Sequence, residues 1–149
     1  MSVETVATQL AVIERRISGV KQAFDLSELP DAMHDSYLPA FVNVPTTAEY
    51  SWPASLYAEE VRTWRLLLYV CPVERPVDVA KRMVLLAPWF RRVVLEFAKS
   101  LFLDDLSGIS LSLVQADDGV DTLDYAGALF AGIEFRLSVR DTFTVESAT

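Results

Sequence analysis

One cysteine, one histidine and five glycines are all that this 149-residue chain offers of the residues that most often carry chemistry or cradle phosphates. Cys71 has no internal disulfide partner and no CxxC spacing for a metal, and it falls in an apolar strand pattern, so a reduced compartment fits it. His34 lies in the polar, proline-broken stretch 25–37, where an imidazole is ordinarily just solvated. Nucleophilic catalysis needs a base oriented toward a nucleophile, and these two residues do not supply the pair. No GxSxG, HExxH or Gly-rich phosphate loop occurs. The adjacent acids Glu59-Glu60 and Asp104-Asp105 read as solvated carboxylates without acid–base matching. We therefore expect no catalytic residue, cofactor or metal, and a protein that is not an enzyme.

Long apolar runs are also missing. The longest, Leu66–Cys71 and Met83–Phe90, fall far short of the roughly 18 residues that span a bilayer. Met1-Ser2-Val3-Glu4 has no basic region, so we expect no secretory signal and no membrane partner. Internal repeats and low-complexity segments are absent.

What the chain does have is apolar content: 52% hydrophobic residues and a mean hydropathy of +0.27. A single domain of 149 residues has limited interior, so some of this surface should meet another subunit. Net charge is −8, which gives no electrostatic reason to grip DNA, although a passage through which DNA slides without sticking suits it. The charge is uneven. Residues 76–103 hold five Lys/Arg against two acids, and residues 104–149 hold nine acids against two arginines. A head-to-tail oligomer has a use for that asymmetry; solvated charge is the plain alternative.

The stretch Pro76–Leu103 organises the rest. Val79, Met83, Leu86, Phe90, Val93, Phe97 and Leu101 recur at four and three, a helical stripe. Pro88 interrupts it, so the spacing predicts a kink near Leu86–Pro88 or a second helix opening there. Residues 3–24 read as an amphipathic helix through Val6, Leu10, Ile13, Ile17 and Val20. Leu38–Pro45 reads as a short strand between prolines, and Thr46–Ala58 as a loop whose Tyr50, Trp52 and Tyr57 either lid the core or anchor a partner, the lid being favoured. Val61–Val73, Ile109–Leu113 and Gly132–Phe143 alternate as strands, with a further strand starting near Leu123. The last two long strands should be antiparallel neighbours. The fold class is α+β: an antiparallel β-sheet with an N-terminal helix and a long, Pro-kinked or split central helix packed on one face. We expect one domain over 1–149, ending in a frayed or partner-ordered tail at 144–149.

Three groups of residues are candidates for contact. Arg62 and Arg65 join Glu134, Arg136 and Arg140 as a charged sheet surface, where arginine suits planar pairing across an interface. Tyr50 and Trp52 are candidate anchors. Arg91 and Arg92 on the central helix are set against the acid-rich C-terminal third of a neighbouring copy, and the acidic turn of Asp117, Asp118, Asp121 and Asp124 is itself a candidate contact. That turn offers the hard oxygens calcium prefers, but its spacing does not match an EF-hand loop, and we read it as an acidic hairpin turn.

Leu38-Pro39-Ala40-Phe41-Val42-Asn43-Val44-Pro45, Arg62-Thr63-Trp64-Arg65-Leu66-Leu67-Leu68-Tyr69-Val70, and Tyr125-Ala126-Gly127 with Gly132-Ile133-Glu134-Phe135-Arg136-Leu137 resemble stretches of the tail-terminator or head–tail joining proteins of long-tailed bacteriophages. The order of elements and the length are similar too. The resemblance implies a virion structural protein, assembled in the host cytoplasm and located at the tail–neck junction. It implies a homo-oligomeric ring, commonly six-fold, that caps the tail tube and joins it to the neck connector. The tail tube protein and the connector would be its partners, with DNA passing through the channel unbound. Another neck, head-completion or minor tail component is the nearest alternative. A small cytoplasmic ligand-binding or enzymatic α+β domain is the second, and a pocket with convergent polar groups would favour it.

Overall fold

The computed structural model describes residues 3–54, 56–73, 79–100, 109–115 and 121–144. Its elements are α1 (Val3–Arg15), β1 (Gln22–Phe24), β2 (Ala40–Ala54), β3 (Tyr57–Pro72), α2 (Val79–Lys99), β4 (Ile109–Gln115), β5 (Asp121–Tyr125) and β6 (Ala128–Thr144). The class is α+β, with one sheet and both helices packed on one of its faces.

The sheet runs β1-β2-β3-β6-β4, and β5 pairs with the first part of β6. β4 and β5 share one edge of β6: β5 takes Ala128–Gly132 and β4 takes Phe135–Asp141. Every pairing is antiparallel except β1 with β2, which makes the sheet mixed where the sequence reading expects it antiparallel. The reason is local. The expected helix over 3–24 stops at Arg15, and the chain turns through Gly19 at φ 93°. Residues 22–24 are then free to line up beside Ala40–Val42. Arg15 Nη2 fixes this exit by donating to the Ala23 carbonyl at 2.8 Å.

α1 follows its apolar spacing, with Val6, Leu10, Ile13 and, beyond its end, Ile17 buried. Glu4 in the first turn suits the positive end of the helix dipole. α2 is one continuous helix through Pro88, not two. Pro88 lies on the exposed side, where the unpaired Val84 carbonyl can bond water, so the proline is tolerated. The buried seam of α2 is Leu86, Trp89, Val93 and Phe97, with Phe90 at its margin; Met83, expected in the stripe, is half-exposed.

These helices cover Trp64, Leu66 and Leu68 of β3 and Ile133, Phe135, Leu137 and Val139 of β6. The alternation expected for β3 and β6 therefore holds. On the opposite face a smaller core joins Met33, Leu38, Ala40, Val42, Leu67, Tyr69 and Phe130. The turns around Leu26–Glu28 and Asp35–Tyr37 lead across it, and Tyr125 Oη reaches the Pro30 carbonyl. Among the described residues, that face also carries Thr63, Arg65, Glu134, Arg136, Ser138 and Arg140.

The expected loop 46–58 is part of a long hairpin. β2 and β3 pair from Ala40↔Tyr69 to Ala54↔Tyr57, with irregularities at Pro45/Ala48 and Ser51/Ala54. β1 covers only Ala40–Val42, so Pro45 and Pro53 face an edge where a missing N–H costs no ladder bond. The expected turn at 103–108, Pro76 and the tail beyond Thr144 lie outside the described residues.

Candidate assembly surfaces

Strand parity separates the arginines that the sequence reading groups together. Arg65, Glu134, Arg136 and Arg140 occupy the sheet face away from the helices, because Arg65↔Arg136, Leu67↔Glu134 and Val61↔Arg140 are register pairs. Arg62 pairs with Val139 on the helix side. There its Nε donates to Glu60 Oε1 at 2.8 Å and its Nη2 to Tyr50 Oη at 3.2 Å. It also helps line a small pocket of about 20 Å³ with Val3, Val6, Glu60, Trp64, Val139 and Asp141, room for about one water. Arg62 is thus no part of the charged face; it braces the hairpin.

On that face, Glu134 serves two arginines. Arg65 Nε donates to Glu134 Oε1 at 2.9 Å and Arg136 Nε to Glu134 Oε2 at 3.3 Å. Arg140 lies 3.4 Å from Glu59. The arginines are about half exposed while Glu134 and Glu59 are 15% and 26% exposed, and each pair is worth about 1 kcal/mol.

The hairpin end is different. Tyr50, Trp52, Leu56 and Tyr57 are all exposed, Trp52 by 66%. The lid reading fails here, because Tyr50, Trp52 and Tyr57 all stay exposed, and Tyr57, opposite Thr144, lies on the sheet face away from the helices. The segment 46–61 holds Glu49, Glu59 and Glu60 and no Lys or Arg.

A second exposed apolar group lies on α2: Met83, Val84, Leu85, Val94 and Leu95, with Val84 exposed by 74%. Helical spacing puts Val84, Pro88, Arg91 and Leu95 on the side opposite the buried seam. Arg91 is exposed in the middle of that stripe. Arg92 is turned aside, its guanidinium 5.0 Å from the Trp89 ring and close to Gly19. Of the two arginines expected to meet a neighbour, Arg91 is the one presented outward.

Asp117 and Asp118 lie outside the described residues. Asp121 opens β5 opposite Gly132, and Asp124 Oδ1 accepts from the Gly127 N–H at 3.2 Å, a hairpin-turn role. Among the described residues no group of three or more His, Cys, Asp or Glu is placed to hold a metal ion. His34 packs edge-on against Tyr37 at 5.2 Å. Cys71 is half-buried in β3, and burial pushes its thiol upward. Tyr69 donates to the Asp124 carbonyl at 3.1 Å; burial, then the nearby Tyr125 and Asp124, push its phenol up to about 12. Among the described residues, no helix is long and apolar enough to cross a membrane.

The sequence reading missed a buried polar pair. Asn43 Nδ2 donates to Glu14 Oε1 at 2.6 Å between β2 and α1. Both are buried, and Glu14 Oε2, Asn43 Oδ1 and Trp64 Nε1 have no hydrogen-bond partner among the described residues. Burial holds the Glu14 carboxyl well above its usual range, against the pull of Asn43 and Arg15. The signal was available: Glu14 stands four residues after Leu10, on the apolar stripe.

No family model matches the chain, and no curated protein matches it.

Proposed function

We propose that this chain is a virion structural subunit of a long-tailed bacteriophage: a tail terminator whose ring caps the tail tube and joins it to the neck connector. The observation that carries this reading is the placing of exposed apolar side chains. Four sit at the β2–β3 hairpin end and five along the exposed sides of α2, with Val84 and Leu95 opposite the buried seam. Two such patches on separate elements suit a subunit that touches more than one neighbour. The resemblance of the strand motifs is the support for taking the tail tube and the connector as those neighbours. The acidic balance agrees with a channel that lets DNA pass without holding it.

The test is the native assembly. Mass measurement and negative-stain microscopy of the purified chain should give a ring of defined size. Gold-labelled antibody on assembled particles should mark the junction of tail and neck. Label at the head vertex or along the tail would move the chain to another head-completion or minor tail role. A strictly monomeric protein at high concentration, also with tail tubes present, would overturn the proposal.

A further inference from the structure

The two exposed apolar patches differ in charge. α2 carries Lys81, Arg82, Arg91, Arg92 and Lys99 against one acid, Glu96, which lies 3.8 Å from Lys99. The hairpin segment 46–61 carries three acids and no cation. Arg62 and Arg140 approach Glu60 and Glu59 from the flanks and leave Glu49 exposed. Pairing α2 with α2 of another copy would set cations against cations across the apolar stripe, an arrangement that like-charge repulsion disfavours. Pairing hairpin with hairpin would set Glu49 and its neighbours together in the same way.

We infer that the hairpin end of one copy docks on the outward side of α2 of the next, so that Tyr50, Trp52 and Leu56 cover Val84, Pro88, Arg91 and Leu95. The inference rests on the assembly reading above and names its self-contact. Aliphatic side chains give the aromatic rings an apolar bed. Arg91 in the middle of the stripe is the cation best suited to lie on the face of Trp52 or a tyrosine. The contact joins unlike surfaces, so it is heterologous: copies add head to tail and close into a ring when the rotation per copy divides a full turn.

Cross-linking tests it. In a Cys71→Ala background, Trp52→Cys and Val84→Cys are made singly and together, and treated with a short bismaleimide. Both positions are exposed, so circular dichroism and Tm should match the parent. Mixing the two single variants should give a covalent dimer, the double variant a ladder ending at the ring, and each single variant alone no cross-link. Arg91→Glu should raise the concentration needed for assembly about tenfold. A Val84→Cys variant that cross-links to itself would overturn the inference. So would a ring of the double variant in which the two introduced thiols never become bridged, and that result would leave the terminator reading standing. A parent chain that stays monomeric under all conditions would remove both.

Discussion

Asn43 Nδ2 donates to Glu14 Oε1 at 2.6 Å, and this single bond joins two polar side chains that are otherwise sealed between α1 and the sheet. An ionised Glu14 would face the unpartnered Asn43 amide oxygen with acceptors only. A neutral Glu14 carries a donor that such an oxygen can accept.

The first prediction follows from that proton. The folded chain holds it on Glu14 well above the ordinary value of 4.5, whereas the unfolded chain releases it near that value. Between the two the native state binds more protons, so stability falls as pH rises from about 4.5 toward the raised value, then levels off. Glu14→Gln keeps an oxygen acceptor for Asn43 and adds two amide hydrogens without a charge. We expect the variant to be more stable than the parent at pH 7–8 by about 1–3 kcal/mol. The difference should shrink as pH falls toward 4.5. Urea denaturation at several pH values checks it; a Gln variant less stable at pH 8 than the parent would refute the neutral-carboxyl account.

Gly132 is required by space. A Cβ there would lie 2.3 Å from the Leu68 carbonyl oxygen and 2.6 Å from Leu123 Cδ1. The leucine tip can turn aside, but the carbonyl belongs to the β3–β6 ladder and cannot. Gly132→Ala should cost about 3 kcal/mol, the upper end for overpacking, read as a lowered urea midpoint or lost soluble yield.

The β5–β6 turn predicts the opposite sign. Ala126 and Gly127 both have positive φ, 52° and 87°, as a two-residue type I′ hairpin requires. Alanine is an uncommon choice at the first position. Ala126→Asn or Ala126→Gly should stabilise by about 0.5–1 kcal/mol, seen as a Tm rise of a few degrees. Gly127→Ala meets nothing within 4 Å, so any loss there measures backbone strain alone.

How far these elements were legible depends on whether one period decided the matter. β6 alternates cleanly, and its buried Ile133, Phe135, Leu137 and Val139 are the ones expected. On α2 the periodicity had two answers. Val84, Leu85, Val94 and Leu95 are as apolar as the buried seam, so spacing alone placed Met83 in the core when it is half-exposed. The three-residue β1 pairs in parallel with a strand sixteen or more residues away, and no local pattern announces such a contact. The hairpin was misread because Pro45 and Pro53 look like loop residues until an open edge is known. Arg62 was separable from Arg65 by parity with Trp64, Leu66 and Leu68, and only the grouping by charge obscured it.

Arg65 and Arg136 are direct cross-strand partners, and like charges so placed repel unless a carboxylate lies between them. Glu134 is that carboxylate and bonds to both. Removing Glu134 and removing Arg136 should therefore differ. Glu134→Gln leaves two guanidinium groups opposed and should cost about 1 kcal/mol. Arg136→Ala relieves the repulsion while Glu134 keeps Arg65, and should be near neutral. The double variant should lose less than Glu134→Gln alone, because the second change removes what the first exposed. Since Arg65 and Arg136 are about half exposed, salt screens their repulsion, and the cost of Glu134→Gln should fall by about half or more between low salt and roughly 0.5 M salt. Urea midpoints for the three variants at both salt concentrations test the account; a Glu134→Gln cost that ignores salt would assign Glu134 a packing role instead.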